Sequence, residues 1–278
     1  MGIKSHKQTK TRVAHIFLPK SKNKYVFDEY LKSFERGIPD ARLSIWNKDS
    51  TINSPLLIRG INSQAREAIY YCQQTKKKFY YIDTGYIGNE RSNFKRWHRI
   101  TKNSLQNTGP IINRPTDRLK IIGTKCQKMY SGSKILICPP SAKVMKMYNQ
   151  PLPEIWTKSV IKKLKKFTDR PIEVRLKPQR KDRISVKTIE DALVDDVHCL
   201  VTYNSIAALE ALINGKPAIT LGENCASSLC NTSLNDIENL NKPSRGEVIK
   251  LLAHLSYGQF TKKEMTNGVA WRILNEDC

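Results

Sequence analysis

Short apolar runs alternate with amphipathic segments along most of this chain. Apolar runs predict strands at 13–18, 42–46, 55–58, 79–82, 97–100, 134–138, 172–178, 197–201 and from 218 onward. Helical spacing of apolar residues predicts helices near 25–36, 63–76, 154–167, 187–194 and 206–213. Strands that alternate with helices predict an α/β fold with parallel, doubly wound sheets, whose ligands bind at the carboxyl ends of the strands.

The patterning changes near the middle of the chain. Residues 107–133 have little periodicity and many Pro, Gly and Asn residues, so we interpret them as an inter-domain connection. A chain of 278 residues can then form two modest cores. We predict an amino-terminal lobe over 1–133 and a carboxyl-terminal lobe over 134–258.

The clearest local pattern runs from Val197 to Gly222 as strand, polar turn, helix and strand. Ser205, or Asn204 beside it, is placed to cap the helix, where free N–H groups and the helix dipole favour a phosphate. Glu210 lies about a turn and a half later, within reach of a ribose attached to that phosphate. The alternative is that Ser205 is only a cap and Glu210 only a solvated helix residue.

The segment LVTYNSIAALEALINGKPAITLG resembles the donor-binding segment of GT-B glycosyltransferases, in particular those of capsule synthesis. This resemblance implies a GT-B-like fold of two Rossmann-like lobes whose parallel sheets face a central cleft, and a Ser and a Glu that hold the nucleotide of an activated sugar. The matching residues are Ser205, Ala207 or Ala208, Glu210, Ala211, Gly215 and Pro217.

Two further blocks, YYIDTGYIGNERSNFKRWHRITKNSLQ and LAHLSYGQFTKKEMTNGVAWRIL, resemble bacteriophage-encoded glycosyltransferase-like proteins associated with hypermodified DNA. In GT-B proteins a final helix crosses between the lobes and permits closure over substrate. The resemblance therefore implies that residues 259–278 form a helix that packs back across the lobes.

The expected donor-binding residues lie after the strands of the second lobe. Lys177 stands before Pro178, where related enzymes have a basic residue, in some cases His, that contacts the donor phosphate. Arg175 and Arg180 can neutralise a departing nucleoside diphosphate, and Ser141 can either contact the phosphates or only cap a helix. The full expected donor set is Ser141, Arg175, Lys177, Arg180, Thr202, Asn204, Ser205 and Glu210.

The formal net charge is +23, and its distribution is uneven. Residues 1–133 contain 26 Lys and Arg against 9 Asp and Glu, whereas residues 134–278 contain 22 against 16. Such an excess indicates a polyanionic partner such as nucleic acid, with the amino-terminal half facing it. A solubilising surface is the alternative, although such surfaces mix the two signs more evenly.

Asp83 follows a predicted buried strand and precedes a Thr-Gly turn. A carboxylate at this position can act as a general base that accepts the proton of an attacking hydroxyl. The alternative is a capping role in the turn, since Asp-x-Gly is a common turn sequence. We predict the catalytic role.

Aromatic and basic residues are interleaved after Asp83, a combination that suits nucleic acid because cations hold phosphates while rings stack on bases. Trp97 and His98 can equally be core residues of a strand over 97–100. The expected acceptor and DNA-binding set is Tyr86, Arg91, Lys95, Arg96, Trp97, His98, Arg99 and Asn103.

No apolar run approaches the ~20 residues that span a bilayer, and the amino terminus lacks a signal-peptide pattern. We therefore expect a cytoplasmic protein, in the host cytoplasm if it is phage-encoded, with no membrane partner. The seven Cys residues show no C-x-x-C spacing, and no D-x-D pair is present, so we expect no metal and no cofactor beyond the nucleotide-sugar.

Resemblance and charge together predict a glycosyltransferase that moves a sugar from a nucleotide-sugar, a UDP-sugar in the first instance, to 5-hydroxymethylcytosine-type bases in double-stranded phage DNA. Such a base must be flipped out of the duplex. One alternative is a glycosyltransferase of cell-surface or capsular polysaccharide synthesis, whose basic lobe meets an anionic glycan or a membrane. Another is an inactive DNA-binding protein that keeps the GT-B fold.

Overall fold

The computed structural model describes residues 29–41, 46, 54–89, 96–178, 187–194 and 196–276. In chain order the first elements are α1 (Glu29–Arg36), β1 (Leu56–Arg59), α2 (Ser63–Thr75), β2 (Phe79–Thr84), β3 (His98–Lys102), α3 (Asp117–Ile122), β4 (Lys134–Ile137), α4 (Ala142–Met147) and α5 (Pro153–Leu164). They are followed by β5 (Ile172–Val174), α6 (Ile189–Val194), β6 (Val197–Thr202), α7 (Ala207–Ile213), β7 (Ala218–Thr220), α8 (Arg245–Ser256), β8 (Gln259–Phe260), α9 (Lys262–Thr266) and α10 (Val269–Glu276).

The chain forms two compact units, residues 1–82 with 262–278, and residues 83–261. These units and the lobes expected from the sequence are different divisions of the chain, so the lobe boundaries stay a prediction. Three predicted elements fall wholly or partly outside the described residues. They are the strand at 13–18, most of the strand at 42–46 and the start of the helix at 25–36.

In the first unit, β1 and β2 pair in parallel, with Leu56 opposite Phe79 and Arg59 opposite Ile82. The connecting helix α2 begins where the Asn62 side chain accepts a hydrogen bond from the Ala65 N–H at 2.8 Å. Its buried residues, Ala65, Ala68, Ile69 and Cys72, recur at helical spacing. The predicted β-α-β pattern over 55–82 is therefore present.

The carboxyl-terminal segment contains two short helices rather than the single helix expected from the sequence. Gln259 and Phe260 form β8, and α9 and α10 are separated by Asn267 and Gly268, which has φ +81°. A left-handed residue ends a helix, so one continuous helix cannot form here. Within the first unit, Trp271 of α10 packs on Phe34 and Tyr80 with ring centroids 6.2 and 5.5 Å apart.

The second unit is built on a parallel sheet with strand order β5-β4-β6-β7. Residues alternate between its two faces, as a strand requires. Ile137 and Val201 pack with Trp156 and Val160 of α5 on one face. Leu136 and Leu200 pack with α6, α7 and α8 on the other.

Gly215 fixes the connection between α7 and β7. Its φ is +68°, and a Cβ atom there would lie 2.0 Å from the Lys128 carbonyl oxygen. Any other residue would therefore have to displace backbone. This requirement explains the glycine of the Gly215-Lys216-Pro217 sequence without reference to a ligand. The second unit also contains the antiparallel pair β3 and β8.

Candidate functional site

The second unit contains a topological switch point between the neighbouring strands β4 and β6. The chain leaves β4 towards α4 and α5 on one face of the sheet and leaves β6 towards α7 on the other. Ligands of open α/β sheets bind where the connections diverge in this way. The residues that follow these two strands, Ser141 after β4 and Asn204 and Ser205 after β6, all belong to the expected donor set.

Glu210 lies on α7 with charged groups of other elements around its carboxyl group. Its partial burial raises the pKa of the carboxyl to about 7 from an ordinary value of 4.5. The negative charge of Glu190 raises this pKa further, while Lys177 and Arg175 lower it. No hydrogen bond joins this carboxyl to another described residue. The structure thus brings three residues of the expected donor set, Glu210, Arg175 and Lys177, within electrostatic range of one another.

Arg175 and Lys177 immediately follow the edge strand β5. The Arg175 guanidinium donates to the Lys187 carbonyl oxygen at 2.6 Å, which orients its side chain. Lys177 is exposed. Arg180, the third cation of the expected set, lies outside the described residues. The two described cations can meet an anionic group at the sheet edge.

Ser141 and Ser205 both precede short helices. Ser141 is the residue before α4, but its side chain makes no capping hydrogen bond. The Ser205 hydroxyl accepts a hydrogen bond from the Ala207 N–H at 3.3 Å, and Ile206 occupies the cap position of α7. The helix therefore begins one residue later than the sequence predicts, because Ser205 forms a local turn with Ala207.

Thr202 is completely buried, and its hydroxyl belongs to the core. It donates to the Cys138 carbonyl oxygen at 2.6 Å and accepts from the Ser205 N–H at 3.3 Å. These bonds tie the end of β6 to the end of β4. Thr202 therefore shapes the edge of the sheet, and its expected contact with a donor stays a prediction.

Asn204 connects the end of β6 to residues that the sequence did not single out. Its carbonyl oxygen accepts from Gln106 Nε2 at 2.7 Å, and Gln106 Oε1 accepts from the Cys225 N–H at 3.1 Å. The Asn204 side chain is buried, and within the described ranges its Oδ1 atom has no hydrogen-bond partner. An unsatisfied buried amide oxygen is costly unless a ligand or water donates to it.

Asp83 is the last residue but one of β2, and both of its carboxyl oxygens accept hydrogen bonds. Oδ1 accepts from the Thr84 N–H at 2.8 Å, and Oδ2 accepts from the Arg99 guanidinium at 3.0 Å. Arg99 also donates to the Thr84 carbonyl oxygen at 2.8 Å. The bond to Thr84 is the turn-capping interaction that we considered as the alternative. The role of Asp83 as a general base stays a prediction.

Most described members of the expected acceptor set are buried. Tyr86, Trp97, His98 and Arg99 are each at most 7% exposed. The Tyr86 hydroxyl accepts from the Asn107 N–H at 2.8 Å, and burial raises the pKa of this phenol. Trp97 and His98 are thus buried, as the core alternative expects, with His98 at the start of β3 and Trp97 just before it.

Arg96 and Asn103 are the exposed described members of the acceptor set. The Arg96 guanidinium lies 5.5 Å from the centre of the Trp97 ring, and Asn103 adopts a left-handed conformation with φ 57°. Arg91 and Lys95 lie outside the described residues. Acceptor binding by this set therefore stays a prediction that depends on Arg96, Asn103 and the segment around them.

Tyr148 and Glu223 are polar residues near the sheet edge that the sequence analysis missed. The Tyr148 hydroxyl donates to Glu223 Oε2 at 3.5 Å, and its ring lies edge-on to Tyr203 with centroids 5.7 Å apart. Burial and then the Glu223 carboxylate raise the pKa of the Tyr148 phenol. The sequence signal for Glu223 was its position just after β7 and Gly222.

Within the described ranges, no three His, Cys, Asp or Glu side chains lie close enough together to hold a metal ion. No described helix has the length and apolar character that crossing a membrane requires.

The sequence matches no protein-family model and no curated protein. Solved structures do match. Thermosulfurimonas dismutans KpsC, beta Kdo 2,4 transferase, aligns with a TM-score of 0.52 and 13% identity over 95% of this chain and 98% of that chain. Thermosulfurimonas dismutans KpsC, beta Kdo 2,7 transferase, aligns with a TM-score of 0.49 and 11% identity over 96% and 100%. The first likeness shows a shared fold, and the α/β GT-B-like fold class predicted from the sequence is confirmed.

Proposed function

We propose that this protein is a glycosyltransferase that moves a sugar from a nucleotide-activated donor to an anionic carbohydrate acceptor, of the cell-surface or capsular type. Two things support the proposal. The fold is shared with a Kdo transferase over nearly the whole chain, and the sequence resembles the donor segment of capsule-synthesis enzymes. The observation that carries it is the arrangement of Glu210, Arg175 and Lys177 at the carboxyl edge of the parallel sheet.

This arrangement suits a nucleotide in two ways. The cations of Arg175 and Lys177 can neutralise the phosphate charge that grows as the sugar leaves. A carboxyl group with a pKa near 7 can accept a hydrogen bond from a ribose hydroxyl when ionised and donate one when protonated. A ribonucleotide-sugar such as a UDP-sugar links an anionic phosphate to a ribose, so one ligand can satisfy the cations and the carboxyl together.

For the acceptor hydroxyl we propose Asp83 as the general base. Arg99 orients the carboxylate through the 3.0 Å bond to Oδ2. Transfer would form a bond between the acceptor oxygen and the anomeric carbon, break the bond to the nucleotide phosphate, and move the hydroxyl proton to Asp83.

A second candidate is transfer of the sugar to DNA that carries a hydroxymethylated pyrimidine. The observation in its favour is the net charge of +23, concentrated in residues 1–133. Counterion release would make binding to DNA strong and salt-dependent. The fold likeness to a Kdo transferase supports a carbohydrate acceptor instead, so we prefer the carbohydrate acceptor to DNA.

One experiment separates these candidates. The purified protein is incubated with a panel of UDP-sugars and activated Kdo as donors. The acceptor is either an acidic oligosaccharide or duplex DNA containing 5-hydroxymethylcytosine. The masses of the products are measured by mass spectrometry. Added sugar mass on the oligosaccharide supports the first candidate, and added mass on the DNA supports the second. Glu210→Gln should reduce transfer, whereas Glu154→Gln on the exposed face of α5 is the matched control.

If no donor gives transfer and Glu210→Gln does not change the binding of any nucleotide-sugar, the glycosyltransferase proposal is wrong. If the wild type binds a nucleotide-sugar without transferring the sugar, and Glu210→Gln does not bind it, the proposed donor site is supported. Only the acceptor has then been misidentified.

A further inference from the structure

A groove of about 560 Å³ opens beside α5 in the second unit. Ile155, Ser159 and Lys163 of α5 line it, together with Asn235. Tyr203 lines it where the chain leaves β6. The volume is typical of small-molecule sites, which fall in the range of ~300–1,000 Å³.

The groove and the Glu210 charges lie on opposite faces of the parallel sheet. The walls from α5 belong to the face on which Ile137 and Val201 pack, whereas α7, which carries Glu210, packs on the face of Leu136 and Leu200. A nucleotide held by Glu210 and Arg175 would therefore leave the groove open to a second ligand. Tyr203 is followed directly by Asn204 and Ser205, so a molecule in the groove would reach the edge of the expected donor site.

Tyr203 is held in a fixed orientation by its neighbours. A Cβ atom on Gly222 would lie 2.6 Å from two carbons of the Tyr203 ring, so a larger residue at position 222 would displace the ring. The Tyr148 ring packs on it edge-on at 5.7 Å. A rigid aromatic side chain offers apolar contact area at little entropic cost, and the C–H face of a pyranose ring is a matching surface.

The other lining groups favour a sugar with a negative charge. Hydroxyl and amide side chains line much of the groove, and they can both donate to and accept from sugar hydroxyls. They are Gln150, Ser159, Thr232, Ser233 and Asn235. Lys163 is the charged side chain among the lining residues, all of which the structure describes. It can bind a carboxylate.

We propose that this groove binds an acidic oligosaccharide, with one sugar ring on Tyr203 and a carboxylate on Lys163. The identification of the ligand as the acceptor glycan rests on the proposed function. Nucleic acid fits the groove less well, because its binding depends on several phosphate contacts and the lining supplies one cation among neutral side chains.

The test is calorimetric titration of the full chain with tetragalacturonate at low salt, in the absence of any donor. We expect saturable binding that Lys163→Glu weakens by about tenfold or more. The matched control is Lys162→Glu, which makes the same charge change on the same helix outside the groove lining, and it should weaken binding less than about twofold.

A second variant separates the groove from general charge attraction. Ser159→Arg adds a positive charge but fills the groove from an exposed helix position, so folding should be preserved. Binding in the groove predicts weaker affinity for tetragalacturonate, whereas attraction to the basic surface alone predicts stronger affinity.

The proposal is overturned if tetragalacturonate does not bind saturably, if Lys162→Glu has the same effect as Lys163→Glu, or if neutral maltotetraose binds equally well. It is also overturned if duplex DNA binds, if Lys163→Glu and Ser159→Arg both weaken that binding, and if tetragalacturonate does not bind. Because the titration needs no donor, binding without sugar transfer would contradict only the proposed function. Transfer to the acidic glycan that is unchanged in Ser159→Arg would contradict only the groove.

Discussion

Two regions of the second unit place ionisable groups at strand ends, and they differ in how fully those groups are paired inside the chain. Near the end of β2, Asp83 accepts hydrogen bonds on both oxygens, and Arg99 donates to Asp83 and to the Thr84 carbonyl. At the carboxyl edge of the parallel sheet, Glu210 has a raised pKa and no hydrogen bond from a described residue. The hydrogen bonds of Asp83 tie neighbouring segments of the chain together, whereas the Glu210 carboxyl keeps hydrogen-bonding capacity that a ligand can use.

The two regions also differ in how strongly the sequence indicates a site. Interleaved aromatic and basic residues in the sequence favoured the segment after Asp83, but most of the described ones are buried. The edge of the parallel sheet had a weaker compositional signal, yet it brings charged groups from β5, α6 and α7 together.

The largest expected effect is on turnover. Asp83→Asn should lower kcat by about 10²–10⁴-fold, because the amide cannot accept the proton of the acceptor hydroxyl. Its oxygen can still accept from the Thr84 N–H, so the turn should be kept. Steady-state kinetics with circular dichroism as the folding control measures this. Normal turnover by a folded variant would leave Asp83 as a turn cap and no more.

The next largest effect is on stability. Arg99→Met should lower the free energy of unfolding by about 2–3 kcal/mol, because Asp83 and the Thr84 carbonyl lose a buried donor. Arg175→Met at the sheet edge should cost within about 1 kcal/mol, since it loses one hydrogen bond to Lys187. Urea denaturation of both variants compares the regions directly. Equal losses would contradict the difference in pairing.

A third effect concerns pH. The pKa of Glu210 is raised from 4.5 to about 7 on folding, so the folded chain holds this proton more tightly than the unfolded chain. The stabilisation is fully present below pH 4.5 and is lost as pH rises through 7. Up to about 3 kcal/mol of pH-dependent stability should disappear in Glu210→Gln.

Urea denaturation at a series of pH values, with Glu154→Gln as the control, measures the Glu210 contribution. If wild type and Glu210→Gln have the same pH profile, the carboxyl is ordinarily solvated in the folded chain and does not differ from other surface carboxylates.

The smallest expected effects distinguish two neighbouring hydroxyls. Thr202→Val should cost about 1 kcal/mol of stability, because the buried Cys138 carbonyl loses its 2.6 Å donor, and it should change the KM for the donor less than Ser205→Ala does. Ser205→Ala should cost less than about 1 kcal/mol, because its 3.3 Å bond to the Ala207 N–H is long, but it should raise the KM for the donor. The reverse pattern would exchange their roles.

Local pattern predicted the elements around the sheet edge well. The apolar run of β6 and the helical spacing of α7 both give the observed elements. These predictions hold because each depends on residues a few positions apart. The two carboxyl-terminal helices were predicted as one because Gly268 does not reveal its left-handed conformation in the sequence.

The partners of the site residues were beyond the reach of the sequence. Tyr148 and Glu223 are 75 positions apart, and Gln106 bonds Asn204 across 98 positions. Neither spacing produces a periodic signal, because the contacts arise from the order of strands in the sheet. For the same reason the sequence did not decide whether Trp97 belongs to a binding surface or to the core. An aromatic residue beside Arg96 suits both positions equally well.

Hydrophobic period and composition are local or additive properties, so the residue pattern was enough to predict the α/β alternation, the strand-turn-helix-strand unit from Val197 to Gly222 and the excess of positive charge. The internal pairing of polar groups depends on the folded structure. That structure joined Asp83 to Arg99, buried Thr202, and left the Glu210 carboxyl beside Arg175 and Lys177. Burial and pairing depend on which strands become neighbours, and that neighbourhood exists only in the folded chain.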